Sequence, residues 1–153
     1  MRWQLALGFM FGVAFSQTPP DTVRWNASLS SSAIGETTLQ ISGDIQDGWH
    51  VYALTQPSGG PIALKVTVDE NEIARSSGAP TGPKPHMRLD PSFKLRTQFY
   101  THSFTLRLPL QLKQPAAAGE QHIPVSVRFQ TCSDRECQPP RTIHLSVPIN
   151  VQS

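Results

Sequence analysis

The sequence predicts an all-β fold, an immunoglobulin-like antiparallel β-sandwich, and three observations carry that expectation. Apolar residues alternate with polar ones in several separate segments, the signature of half-buried strands. No window carries a sustained helical stripe of apolar residues, so little helix is expected. Gly, Pro, Ser and Asn punctuate the segments at short, regular intervals, as in sandwiches and barrels. An up-and-down barrel is the second architecture that the pattern allows.

Each strand has its own signal. After Pro19-Pro20, Val23, Trp25, Ala27 and Leu29 alternate with Arg24, Asn26 and Ser28. Leu39, Ile41 and Ile45 form the next series, with Gly43 suited to a bulge. Ile62, Leu64, Val66 and Val68 alternate with Ala63, Lys65 and Thr67. Phe104, Leu106, Leu108, Leu110 and Leu112 make a long series, followed by Ile123, Val125, Val127 and Phe129. Ile143, Leu145, Val147, Ile149 and Val151 make the last. Pro109, Pro124 and Pro148 fall inside these runs, and their missing amides suggest edges or bulges. From Ser76 to about Arg96 the rhythm breaks. A long loop is expected there, of the kind that is commonly functional or mobile. Ala116-Ala117-Ala118 before Gly119 reads as a hairpin connection.

Length and charge bound the function. A chain of 153 residues suits one domain with a single core. Only 16% of residues are charged, which argues against a disordered polyelectrolyte. The net charge of +2 comes from 13 basic and 11 acidic residues that are interspersed. Without a basic stripe, nucleic acid is not an expected partner. Residues 1–16 carry Arg2 as their only charge, then an apolar run, then Ala14-Phe15-Ser16 with small residues at the positions a signal peptidase reads. The apolar run is shorter than the roughly 20 residues that span a bilayer. Residues 1–16 are therefore read as a cleavable signal peptide and 17–153 as the domain, exported to a compartment where disulfides persist.

Two cysteines are too few for a disulfide scaffold, yet their placement is informative. Cys132 and Cys137 stand five positions apart, just after a strand, around the polar residues Ser133, Asp134, Arg135 and Glu136. Pro139-Pro140 stiffens the exit. Spacing and position leave three readings open: an exchangeable disulfide, a structural staple, and half of a metal site. A staple across so short a loop contributes about 2 kcal/mol, against about 4.7 kcal/mol for a loop of about 100 residues. Zinc needs two more ligands, and His86, His102, His122 and His144 show no ligand spacing, so no metal or other cofactor is expected. Arg135 would favour a thiolate, whereas Asp134 and Glu136 would oppose it. Trp25 and Trp49 read as core or rim residues. No Gly-x-Ser-x-Gly elbow or phosphate loop occurs.

The block Gly48-Trp49-His50-Val51-Tyr52, then Gln56-Pro57-Ser58-Gly59-Gly60-Pro61, then Cys132 through Cys137-Gln138-Pro139-Pro140 resembles the N-terminal periplasmic domain of the thiol:disulfide interchange protein DsbD. The resemblance runs from about Val23 to Val151. It implies an immunoglobulin-like sandwich whose cysteine pair accepts electrons and passes them to exported thiol-disulfide proteins. Cys132 and Cys137 match the family's active-site pair, with Cys137 as the exchanging sulfur and Cys132 as the resolving one. His50 and Tyr52 match positions beside the cysteines, and their spacing independently puts both on one face of a strand. Phe93 falls where the family carries a cap-loop aromatic over the disulfide, which would give the long loop a purpose. The residues before it, Pro91 and Ser92, and the four-residue spacing of the cysteines depart from the family pattern.

The expectation is therefore a periplasmic thiol-disulfide exchange module. Its partners would be exported thioredoxin-fold proteins and an upstream membrane thiol reductase, which makes it a component of a protein-disulfide reductase system. The competing expectation is a secreted β-sandwich that binds a protein partner and keeps a structural disulfide.

Overall fold

The computed structural model describes residues 21–31, 36–114 and 117–152. The expected signal peptide, residues 1–16, lies outside the described residues, as do the start of the domain and Ala116. Eleven strands follow in order: β1 Val23–Ser31, β2 Thr37–Ile45, β3 Trp49–Tyr52, β4 Lys65–Val68, β5 Ala74–Ser76 and β6 His86–Asp90. They continue with β7 Leu95–Tyr100, β8 Ser103–Leu112, β9 Gly119–Phe129, β10 Thr131–Ser133 and β11 Arg141–Val151. All strand pairs are antiparallel, in three open sheets of order β1-β2-β8-β5, β11-β9-β4 and β10-β3-β7-β6. The described residues contain no helix. The architecture is an immunoglobulin-like β-sandwich, and the open sheets set aside the barrel alternative.

The main core forms where the first two sheets face each other. Leu39 and Ile41 from β2, Leu106 and Leu108 from β8, Val125 and Val127 from β9, and Val147 from β11 are fully or almost fully buried. These are the residues whose alternation identified the strands, so hydrophobic burial at period two sets the register. Trp25 joins them, with its ring centroid 4.9 Å from Phe129 and 5.7 Å from Phe104.

Three expectations need correction. Gly43 is not a bulge, because β1 and β2 pair without interruption from Val23↔Ile45 to Ser31↔Thr37. Glycine is present because the Phe104 ring occupies the side-chain position, and a Cβ there would lie 2.7 Å from Phe104 Cε1. Pro109 and Pro124 lie in β8 and β9, which are inner strands rather than edges. Their carbonyls accept from Ser77 N and Asp69 N, one residue past the ends of β5 and β4. A residue's N–H and C=O point to the same neighbour in an antiparallel ladder. Each missing amide therefore faces a strand that is ending. Pro148 does sit on an outer strand, β11.

The third correction concerns Ser76 to Arg96. Instead of one long loop, this stretch contains β6, which pairs with β7 from His86↔Phe99 to Asp90↔Leu95. A four-residue turn at 91–94 closes the hairpin, with Lys94 in the left-handed region at φ 57° and its amide donating to Asp90 O. The strand escaped the apolar pattern because the side chains on the face toward Phe99 and Thr97, His86, Arg88 and Asp90, are polar, and of them only Asp90 is buried. Its apolar residues Met87 and Leu89 lie on the opposite face and are exposed.

Gly43→Ala forces a methyl group against Phe104 within a packed core, where overfilling costs about 1–3 kcal/mol. A urea midpoint lowered accordingly, with an unchanged slope, is expected. An unaltered midpoint would show that Phe104 moves aside freely.

Candidate functional site

The third sheet carries a second, smaller cluster on the face turned away from the main core. Alternation splits β3, because Val51 enters the main core while His50 and Tyr52 point the other way. In β7, Tyr100 joins the main core and Phe99 the second cluster. Cys132 on β10 stands directly opposite His50. Tyr52, Phe99 and Cys132 form the buried cluster, with Phe93 packed against it from the β6–β7 turn. The structure thus brings together Cys132, Cys137, His50, Tyr52 and Phe93.

The cysteines form a disulfide with Cα atoms 4.0 Å apart and bridge each other as an antiparallel pair. The turn between them is held by Ser133 N donating to Glu136 O, and by the amides of Arg135 and Glu136 donating to Ser133 Oγ. Gln138 N then donates to Thr131 O and closes the ladder. The two cysteines differ in exposure: Cys132 is 1% exposed, whereas Cys137 is an exposed residue on the turn.

Aromatic rings pack beside the buried Cys132. His50 lies 5.0 Å from both Tyr52 and Phe99, and Phe93 meets Tyr52 edge-on at 5.7 Å. Beneath them Asp90 is 1% exposed. Its carboxylate accepts from Tyr52 Oη at 2.7 Å, Thr97 Oγ1 at 3.2 Å and Ser92 N at 2.8 Å. A weaker bond comes from Phe93 N at 3.4 Å. Burial alone would raise this acid, but the hydrogen bonds from Tyr52, Ser92, Phe93 and Thr97 outweigh it and hold the carboxyl below its ordinary range. Burial also raises the Tyr52 phenol, and the hydrogen bond to Asp90 raises it further, so that proton stays in place.

His50 is 4% exposed, and its Nε2 has no hydrogen-bond partner. The nearest acid oxygen, Asp90 Oδ2, is 4.0 Å away. Burial lowers the imidazole and Arg88 lowers it further, against the opposing pull of Asp90 and Asp134. His50 is therefore held neutral. Arg88 links the hairpin to the cysteine turn, with its guanidinium 4.9 Å from the centre of the Phe99 ring and 3.0 Å from Asp134 Oδ1.

Sequence reasoning missed Asp90, Arg88, Thr97 and Phe99. The signal available was parity within 86–99: once β6 pairs with β7, these side chains share the face of His50 and Tyr52. No group of His, Cys, Asp and Glu among the described residues is placed to hold a metal ion.

A locally closed disulfide, with one cysteine buried beside aromatic rings and the other exposed on a polar turn, is the arrangement of a thiol-disulfide exchange module on a sandwich scaffold. The chain belongs to the family described as "Thiol:disulfide interchange protein DsbD, N-terminal", which matches residues 18–148. Its fold is similar to that of the Neisseria meningitidis DsbD N-terminal domain in the reduced form, at TM-score 0.58 and 18% identity, covering 88% of this chain and 91% of that one. It is also similar to the N-terminal periplasmic domain of ScsB from Proteus mirabilis, at TM-score 0.51 and 19% identity. That alignment covers 88% of this chain and 49% of the other. No curated protein matches the sequence.

Two predictions follow from these electrostatics. A histidine with a lowered folded pKa binds more protons when unfolded, so its contribution to stability is present above its ordinary value of 6.5 and is lost as pH falls below it. Asp90 adds a loss of the same sign below its ordinary 3.8. Urea midpoints should therefore fall between about pH 7.5 and about pH 5, and His50→Gln should flatten that interval. An equally steep fall in the variant would exclude His50 as its source. Arg88→Met removes the Asp134 pair, which is largely exposed and contributes about 0–1 kcal/mol to stability. The variant should unfold near the wild-type midpoint while dithiothreitol reduces its disulfide several-fold faster. Equal reduction rates would show that the pair does not tie the hairpin to the turn.

Proposed function

We propose that the domain is exported to the periplasm and passes electrons through Cys132 and Cys137 to other exported thiol-disulfide proteins of thioredoxin fold, drawing them from an upstream membrane thiol reductase. The observation that carries this reading is the unequal exposure of the two cysteines. A partner's disulfide can reach Cys137 on its turn, whereas Cys132 is reached only from within the molecule.

In the reduced module the Cys137 thiolate attacks a partner disulfide, forming a mixed disulfide and releasing one partner thiolate. Cys132 then attacks Cys137 Sγ, forming the intramolecular disulfide and releasing the second partner sulfur. Two electrons pass to the partner, and no metal or organic cofactor takes part. His50, Tyr52 and Phe93 line the buried side of the pair, and Phe93 shields it until a partner displaces the hairpin tip.

The reduction potential separates this function from that of a binding module with a structural bond. Equilibration with glutathione followed by thiol trapping should give a value between about −180 and −270 mV, among the exchange proteins. A value below about −300 mV is that of a structural disulfide and would sink the carrier reading. Cys132→Ser, expressed in a periplasm, should accumulate mixed disulfides on Cys137 with thioredoxin-fold proteins. Recovery of none would remove the assignment of partners.

A further inference from the structure

Resolution of a mixed disulfide requires Cys132 to lose a proton, and Cys132 is almost completely removed from solvent. A thiol buried among aromatic rings resists ionisation, so bulk water is a poor acceptor for that proton. The acid and the phenol in the cluster are already committed. Tyr52 donates to Asp90, and the Asp90 oxygens are taken by Tyr52, Thr97, Ser92 and Phe93. His50 is different. It is the cross-strand partner of Cys132, and directly opposed residues hold their Cβ atoms about 4.5–5.5 Å apart. Its side chain is 5% exposed, and its Nε2 is buried with no partner. A buried nitrogen left without a partner is costly, and such a group in a native fold calls for a chemical reason.

We propose that His50 accepts the Cys132 proton in the resolving step, an inference that rests on the exchange reading above and assigns its proton path. With Cys137 bonded to the partner's sulfur, the Cys132 proton passes to the imidazole as the Cys132 sulfur attacks Cys137 Sγ. The Cys132–Cys137 bond forms while the bond from Cys137 to the partner breaks. The electron pair leaves on the partner's sulfur, which takes the proton from the imidazolium. His50 ends neutral, as it began.

The surroundings suit both halves of this cycle. Arg88 faces His50 from β6 and favours the neutral ring that accepts the proton. Asp90 from β6 and Asp134 from the cysteine turn oppose Arg88 and stabilise the transient cation. Tyr52 and Phe99 pack against the ring and hold its orientation. His50 also lines a cleft of about 220 Å³ with Arg88 and Asp134.

The test uses the reduced chain and 5,5′-dithiobis(2-nitrobenzoate), a disulfide whose two thiolates are released in separate, coloured steps. The first release reports attack by Cys137 and the second reports resolution by Cys132. His50→Gln should leave the first release unchanged and slow the second by about 10²-fold near neutral pH. The wild-type rate of the second step should level off at acid pH, where the imidazole is already free, whereas the variant should keep rising into the range of an ordinary thiol. His50→Met, which fills the same space without a nitrogen, should behave like His50→Gln. A cooperative urea transition near the wild-type midpoint shows that it is folded. An unchanged second release, or equal slowing of both steps, would overturn the assignment. The probe needs no protein partner, so failure of the carrier reading shows separately, as a structural reduction potential.

Discussion

A single buried carboxylate organises the cysteine face of this domain. Asp90 ends β6, and its oxygens gather a phenol from β3, a hydroxyl from β7 and two amides from the turn at 91–94. An ionised acid removed from water is tolerable only when its lone pairs are occupied, so these four donors are a condition of its burial. They also fix the geometry around it. Tyr52 cannot rotate away without abandoning the acid, and the turn that carries Phe93 is pinned at its first amides. The position of Phe93 against the cluster of Tyr52, Phe99 and Cys132 is thus set by hydrogen bonding at the base of the turn as well as by ring packing at its tip.

The same acid sets the state of its neighbours. Because Tyr52 and Thr97 already occupy Oδ2, the carboxylate stays 4.0 Å from His50 and does not recruit its proton. Arg88 completes the balance, since it opposes a charge on His50 while pairing with Asp134 across the cysteine turn. The result is a neutral imidazole with a free nitrogen beside a buried thiol position, in a setting where low dielectric strengthens each interaction. Strand, turn and hairpin each contribute one member, so the arrangement exists only in the folded domain.

How much of this was legible in the sequence depends on which face a strand shows to the core. Strands β1, β2, β8, β9 and β11 bury one face in the main core, and their alternation of Leu, Ile, Val and Phe with polar residues declared them. Strands β3 and β10, with the cysteines, were legible through the Gly-Trp-His-Val-Tyr and Cys-x4-Cys blocks, which carried the family resemblance. Strand β6 was not. The residues on its site-facing side are His86, Arg88 and Asp90, and its apolar Met87 and Leu89 face solvent, so the usual pattern is inverted. Strand β5 has only three residues, too few to show a period. A face that serves chemistry through polar side chains is hidden from a rule that looks for apolar ones. Gly43 failed for another reason, since the ring that excludes a side chain there comes from Phe104, distant in sequence.

The disulfide's position relative to the two clusters bears on how the domain can change redox state and stay folded. Its partners are five residues apart, so closing it restricts the unfolded chain by only about 2 kcal/mol. The large core between the sheets of β2 and β8 and of β9 and β11 makes no use of either sulfur, because Cys132 belongs to the separate cluster with Tyr52 and Phe99. Opening the bond therefore leaves the main hydrophobic term intact and is felt chiefly at Cys132, its ring cage and the turn bearing Cys137. A disulfide that held distant strands together would couple reduction to unfolding. Here the scaffold is stabilised by one set of residues and the chemistry is set by another, and the Asp90 network is where the two meet.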